Sequence, residues 1–220
     1  MDSKPFVVVK VQKSGSSYNK LYYHQDRENA LVVIFPGEDY SCDKPLLYYG
    51  RKAALKEKAD VLCLSYKKRL SWRDTGQYTI DLQADASLDV ISKCMEKKYT
   101  NIVFISKSIG TEVAGIVSER LGYDRIENIF LAPTIKAMKN IVNSKCTVIL
   151  GTRDAMITQE QTNHLKQHNN VQLVLIEEAD HYLESCANLE ESLKILNQVV
   201  GIYMKTFTQS NQYNHPMNLE

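Results

Sequence analysis

Residues that mark special environments are scarce in this sequence. Its 220 residues include one tryptophan, five prolines, nine glycines and five cysteines. Cys42, Cys63, Cys94, Cys146 and Cys186 are odd in number and widely spaced, with no Cys-x-x-Cys. That argues against a disulfide framework or a zinc site and for reduced thiols, with Cys63 and Cys146 as small buried hydrophobes in apolar runs. Charge of neither sign predominates: 27 Lys and Arg face 26 Asp and Glu, a net +1. Such a balance gives the chain no general pull towards nucleic acid or an anionic membrane. Its longest apolar runs, 6–9 and 30–36, fall far short of the roughly 20 residues of a membrane span. Residues 1–5 enter a strand pattern without the apolar core and cleavage site of a signal peptide. A soluble, cytoplasmic protein is expected.

Against these absences stands an ordinary globular composition, 44% hydrophobic and 24% charged, long enough to bury roughly 70% of its unfolded surface. Strand-like runs recur at 6–11, 21–24, 30–35, 61–66, 101–106, 128–132, 147–151 and 171–176. From the third onward they are rich in Val, Ile and Leu on both alternating faces, the pattern of strands covered on both sides of a parallel sheet. Between them, Ala84, Leu88, Ile91 and Met95 line one helical face, as do Leu189, Leu193, Leu196, Val200 and Tyr203 near the C-terminus. Thr158 and Gln161 form a capping box that predicts a helix through about residue 166. Further helices are predicted over 108–121 and from about residues 45 and 135. Two antiparallel strands followed by alternating strands and helices predict a doubly wound α/β sheet of about eight strands. Residues 1–208 read as a single domain, and 209–220 as a polar, partly disordered tail.

The chemistry concentrates where the run 101–106 passes directly into a helix through Lys107-Ser108-Ile109-Gly110. Ser108 sits at the turn, with Ser106 two residues before it and Gly110 two after. A nucleophile on a sharp strand-to-helix turn needs small residues at both flanks, because the turn crowds them. The turn also presents a hydroxyl at the amino end of a helix, where N–H groups and the dipole favour negative charge. Two later strands end in loops carrying Asp154 (after Gly151-Thr152-Arg153) and His181 (after Glu177-Glu178-Ala179-Asp180).

Ser106-x-Ser108-x-Gly110, followed by Asp154 and then His181, resembles the α/β-hydrolase superfamily. That family's pattern is Gly-x-Ser-x-Gly, and its acid and histidine follow the nucleophile in this chain order. The resemblance extends over nearly the whole chain and is to small, lidless serine esterases and dienelactone-hydrolase-like members. Val32-Val33-Ile34-Phe35-Pro36-Gly37-Glu38 resembles the strand and His-Gly turn that supplies an oxyanion donor, with Pro36 in place of the histidine. The resemblance implies an α/β-hydrolase fold, a mostly parallel sheet flanked by helices without a large cap. It implies Ser108, Asp154 and His181 as catalytic residues and the backbone N–H groups of Ile109 and Glu38 as the oxyanion hole. No metal or organic cofactor is implied. The partner is a small-molecule ester or thioester, with neither nucleic acid nor membrane involved. An amide-type hydrolase and a non-catalytic binding protein on the same scaffold are the alternatives, and the oligomeric state is left open.

Each residue also has a plainer reading. Ser108 is a good helix N-cap by type. Asp180 or Glu178 could replace Asp154, although a residue adjacent to His181 points its side chain away. His164 and His168 share the four-residue spacing of a zinc pair, but Leu165 stands where His-Glu-x-x-His has its glutamate; exposed helix positions are expected. Residues 67–69, with Trp72 and Arg73, read as a solvated basic loop or an anion contact for substrate. The longest loop, 67–81, is the expected pocket wall. Glu38 reads either as a carboxylate at the pocket mouth or as a solvated turn residue beside Asp39.

Overall fold

The computed structural model describes residues 6–14, 17–24, 30–66, 70–71, 73, 76–96 and 99–212. Eight strands form one sheet: β1 (Phe6–Ser14), β2 (Ser17–His24), β3 (Ala30–Phe35), β4 (Asp60–Cys63), β5 (Asn101–Lys107), β6 (Glu127–Leu131), β7 (Lys145–Gly151) and β8 (Val171–Ile176). Their order is β1-β2-β4-β3-β5-β6-β7-β8. β1 and β2 are antiparallel to their neighbours, and every pairing from β4 to β8 is parallel. Among the described residues six α-helices connect or follow the strands: α1 (Pro45–Lys56), α2 (Gln77–Cys94), α3 (Gly110–Leu121), α4 (Met138–Asn143), α5 (Gln159–Leu165) and α6 (Leu189–Gln212).

The alternation of apolar side chains along each central strand splits the core into two layers. Val33, Phe35, Phe104, Phe130 and Val148 pack against Ile80, Ala84 and Ile91 of α2 and Val113 and Val117 of α3. Val32, Ile34, Val103, Ile105, Ile129 and Ile149 face Leu47 and Ala54 of α1 and Val199 and Tyr203 of α6. Phe35 and Phe104 meet with ring centroids 4.9 Å apart. Truncating either fully buried ring to alanine would cost about 3–5 kcal/mol.

Several boundaries differ from the sequence pattern for identifiable reasons. β4 ends at Cys63, and Leu64, Ser65 and Tyr66 leave the sheet to line a cavity. α3 starts at Gly110 rather than Ser108, because Ser108 has a left-handed φ of 51° that a helix cannot contain. The element expected from residue 135 is a 3-10 turn, Ile135–Ala137, followed by the short α4. β8 is an edge strand, and Leu175 on it is exposed, so it lacks the two-sided cover that its composition suggested. α6 runs to Gln212, four residues into the expected tail; residues 213–220 lie outside the described residues. So do residues 67–69 and 72 of the basic stretch.

Parallel register brings the carboxyl ends of the central strands level. Phe35 pairs with Ser106, Lys107 with Leu131, and Gly151 with Ile176. The turns after β3, β5, β7 and β8 therefore open onto the same edge, where a doubly wound sheet places its chemistry.

Candidate active site

The turn after β5 is built from crowding. Ser108 is held at φ 51°, its N–H donating to the Leu131 carbonyl at 3.0 Å. Its own carbonyl accepts the Thr111 N–H at 2.8 Å and the Thr111 hydroxyl at 2.6 Å. A left-handed backbone at a non-glycine residue is strained and persists only where its surroundings over-determine it. Here they do. A Cβ on Gly110 would stand 2.3 Å from the Pro36 oxygen and 2.9 Å from the Phe35 oxygen, so only glycine lets α3 begin this close to β3. The N-cap of α3 is Ile109, without a side-chain cap, which removes the capping role from Ser108. Ser106 keeps the first small position, fully buried, with no hydrogen-bond partner for its hydroxyl among the described residues.

The turns after β7 and β8 are fastened to each other. A Cβ on Gly151 would lie 2.1 Å from the Ala179 oxygen, and that oxygen accepts the Arg153 N–H at 2.9 Å. This contact carries His181 over Asp154. His181 Nδ1 lies 2.8 Å from Asp154 Oδ2, and His181 Nε2 lies 2.8 Å from Ser108 Oγ. Asp154 Oδ1 accepts the Met156 N–H at 2.9 Å, so both carboxylate oxygens are engaged. The Asp154 side chain is only 1% exposed and the imidazole 24%. An ionised carboxylate can only accept, which puts the ring proton on Nδ1 and leaves Nε2 to accept from the hydroxyl. Such a chain can withdraw the serine proton and stabilise the imidazolium that results.

Asp180, the sequence neighbour of His181, turns elsewhere: its Oδ1 accepts the N–H groups of Tyr182 at 2.8 Å and Glu184 at 3.1 Å. Glu178 forms an ion pair with Arg153 at the surface. His164 is exposed, and His168 lies past the end of α5, its ring stacked edge-on to His164 at 4.8 Å. The described residues contain no cluster fit to hold a metal ion.

The turn after β3 completes the edge. Gly37 donates to the Tyr40 carbonyl at 2.9 Å, closing a tight loop around Glu38 and Asp39. Tyr40 is buried, its hydroxyl accepting the Leu46 N–H at 3.0 Å, and burial pushes its phenol up to about 12. Beside this loop lies a cavity of about 300 Å³, lined by Pro36, Gly37, Ser41, Leu64, Tyr66 and Leu70 among others. Of the loop expected over 67–81, residues 77–81 belong to α2 instead, and Leu70 is the described residue that stands in this wall. Glu38 itself is half-buried.

Sequence reasoning missed Lys107. It stands between the two serines and is 1% exposed. Its ammonium donates to the His181 carbonyl oxygen at 2.7 Å and lies 5.7 Å from the centre of the Tyr40 ring. Burial holds it down to about 8, opposed by the negative charges of Asp154, Asp180 and Glu184. The available signal was its place in the alternation: after Val103 and Ile105, residue 107 points into the α1–α6 layer.

The fold is that of the α/β hydrolases, with no large cap. Dienelactone hydrolase from Anabaena variabilis superposes with a TM-score of 0.69 at 16% identity, over 94% of this chain and 99% of that one. An esterase from Pyrococcus furiosus gives 0.60 at 16%, over 91% and 92%. An α/β serine hydrolase without a lid from Xanthomonas campestris gives 0.62 at 12%, over 94% and 95%. No family model matches the sequence. None of the described helices is long and apolar enough to cross a membrane.

Proposed function

We propose that this chain is a serine hydrolase acting on a carboxylic ester or thioester of a small molecule. The observation that carries the reading is the continuous chain from Ser108 Oγ through His181 to Asp154, two contacts of 2.8 Å each, anchored on a left-handed turn. The esterases and the dienelactone hydrolase among its structural neighbours support the same reading.

In this mechanism Ser108 Oγ attacks the carbonyl carbon as its proton passes to His181 Nε2. The carbonyl oxygen takes up negative charge and is met by the backbone N–H groups of Ile109 and Glu38. Collapse of the tetrahedral species breaks the bond to the alcohol or thiol, which leaves with the proton from Nε2. Water then attacks the acyl-enzyme along the reverse proton path, releasing the carboxylic acid and restoring the serine. Asp154 holds the ring with Nδ1 protonated and stabilises the imidazolium in both halves.

The test is covalent labelling with a fluorophosphonate, peptide mapping of the adduct, and turnover of chromogenic esters of graded chain length. Wild type should label at Ser108, and Ser108→Ala should lose labelling and about four to six decades of kcat. An unlabelled wild type, or an adduct mapped to another serine, would sink the reading and leave a binding protein or a different nucleophile.

A further inference from the structure

A buried lysine with no carboxylate in ion-pairing distance among the described residues calls for an account, because moving an ammonium out of water is costly. Lys107 is the last residue of β5, and its side chain continues the line of Val103 and Ile105 into the apolar layer beneath α1 and α6. The stem passes directly under the turn after β3: a Cβ on Gly37 would lie 3.3 Å from Lys107 Cγ and 2.9 Å from the Lys107 carbonyl oxygen. Tyr40, at the far end of that turn, faces the ammonium with its ring. The ammonium then reaches the backbone of His181, 74 residues further along the chain, and donates to its carbonyl oxygen at 2.7 Å.

One side chain thus joins three of the four turns that the proposed chemistry requires. It belongs to the turn that carries Ser108, supports the turn that carries Glu38 N–H, and holds the loop of His181. An apolar residue of equal length could fill the same volume but could not bond the His181 carbonyl. The negative charges of Asp154, Asp180 and Glu184 act on the ammonium and favour its charged form against burial.

Building on the serine-hydrolase reading, we propose that Lys107 is a positioning residue. Its buried ammonium ties the oxyanion turn and the His181 loop to the nucleophile turn. A charge-assisted bond to a carbonyl is stronger than a neutral one, so the tie slackens as the ammonium deprotonates.

The test compares wild type with Lys107→Met, which keeps the length of the stem without the charge. kcat should fall about 100-fold while KM moves less than about twofold, since alignment rather than binding is lost. Wild type should lose activity on an alkaline limb near pH 8, where Lys107 gives up its proton, and Lys107→Met should lack that limb. The imidazole 15N signals of His181, read at one fixed pH, should shift and broaden because the loop that carries the ring has lost its tie. Lys107→Gln, which restores an uncharged donor, should recover part of kcat without the alkaline limb; it also serves if the methionine variant fails to fold.

The 15N signals are read without turnover. A wild type that ignores the fluorophosphonate therefore removes the hydrolase reading, and the signals still judge the tie. A methionine variant with unchanged kcat and unchanged His181 15N signals overturns the proposal. Loss of kcat together with thermal stability, with every inflection where wild type has it, overturns it as well, because a packing role alone would produce that result.

Discussion

Asp154 and His181 meet at 2.8 Å across two strand ends, in preference to the carboxylate that adjoins His181 in the chain. Asp180 commits its Oδ1 to two backbone N–H groups of its own loop. The two aspartates should therefore separate cleanly on mutation. Asp154→Asn keeps the shape but presents an amide to Nδ1 and disfavours the required tautomer, and kcat should drop by about 10⁴. Asp180→Asn retains an oxygen acceptor for the Tyr182 and Glu184 N–H groups, and kcat should stay within about tenfold of wild type. Steady-state turnover of a chromogenic ester decides; the opposite ranking would move the acid role to Asp180.

The two small residues flanking Ser108 carry opposite predictions. A methyl group on Gly110 meets main-chain oxygens of Pro36 and Phe35, which cannot swing aside. Gly110→Ala should lose at least about 3 kcal/mol in urea unfolding and displace the turn. Ser106→Ala removes a buried hydroxyl that has no partner among the described residues, and should gain about 1 kcal/mol with kcat unchanged. Serine at the first flank is then a tolerated residue rather than a used one.

These two positions also show what could be read without coordinates. The succession of strands along the chain was legible because the central strands are apolar on both faces, and the flank requirement at 106 and 110 follows from chain sterics alone. Asp154 and His181 could be assigned to one edge because parallel strands put every loop that follows a strand at the same end of the sheet. Lys107 could not be assigned a role, since its partner, the His181 carbonyl, lies 74 residues away and a main-chain oxygen leaves no mark in a sequence. The helical extension of α6 to Gln212 was equally hidden, because polar residues extend a helix without an apolar stripe to mark it.

Glu38 brings a charge to the turn after β3. Its neighbours Gly37 and Asp39 line the adjoining cavity, and the proposed mechanism uses only the Glu38 backbone N–H. Glu38→Gln retains that donor and nearly the same shape, so it isolates the charge. A carboxylate facing the substrate path would repel anionic substrates, so removing it should raise kcat/KM for a negatively charged ester relative to a neutral isostere by about threefold. High salt should shrink the difference in wild type and leave the variant unaffected. An unchanged ratio would place the carboxylate away from the substrate path.

Glu112 offers a test of stability rather than turnover. It lies on the first turn of α3, 6% exposed, and its carboxylate accepts the Thr134 hydroxyl at 2.5 Å. Burial raises its folded-state pKa above the ordinary value of 4.5, with the Thr134 bond and the Lys136 charge opposing it in part. A carboxyl group with a raised folded value binds protons more tightly in the native state than in the unfolded chain. Its contribution is therefore most favourable below about pH 4.5 and is lost as pH rises through the raised value, because the folded protein must then hold a buried anion. Glu112→Gln keeps an oxygen acceptor for Thr134 and removes the titration. Above the raised value the variant should be the more stable protein, and its advantage should close as pH falls towards 4.5. Urea midpoints measured for both proteins at several pH values between 4 and 8 give the comparison directly. A difference independent of pH would mean that the Glu112 carboxyl is no harder to ionise in the fold than in the unfolded chain.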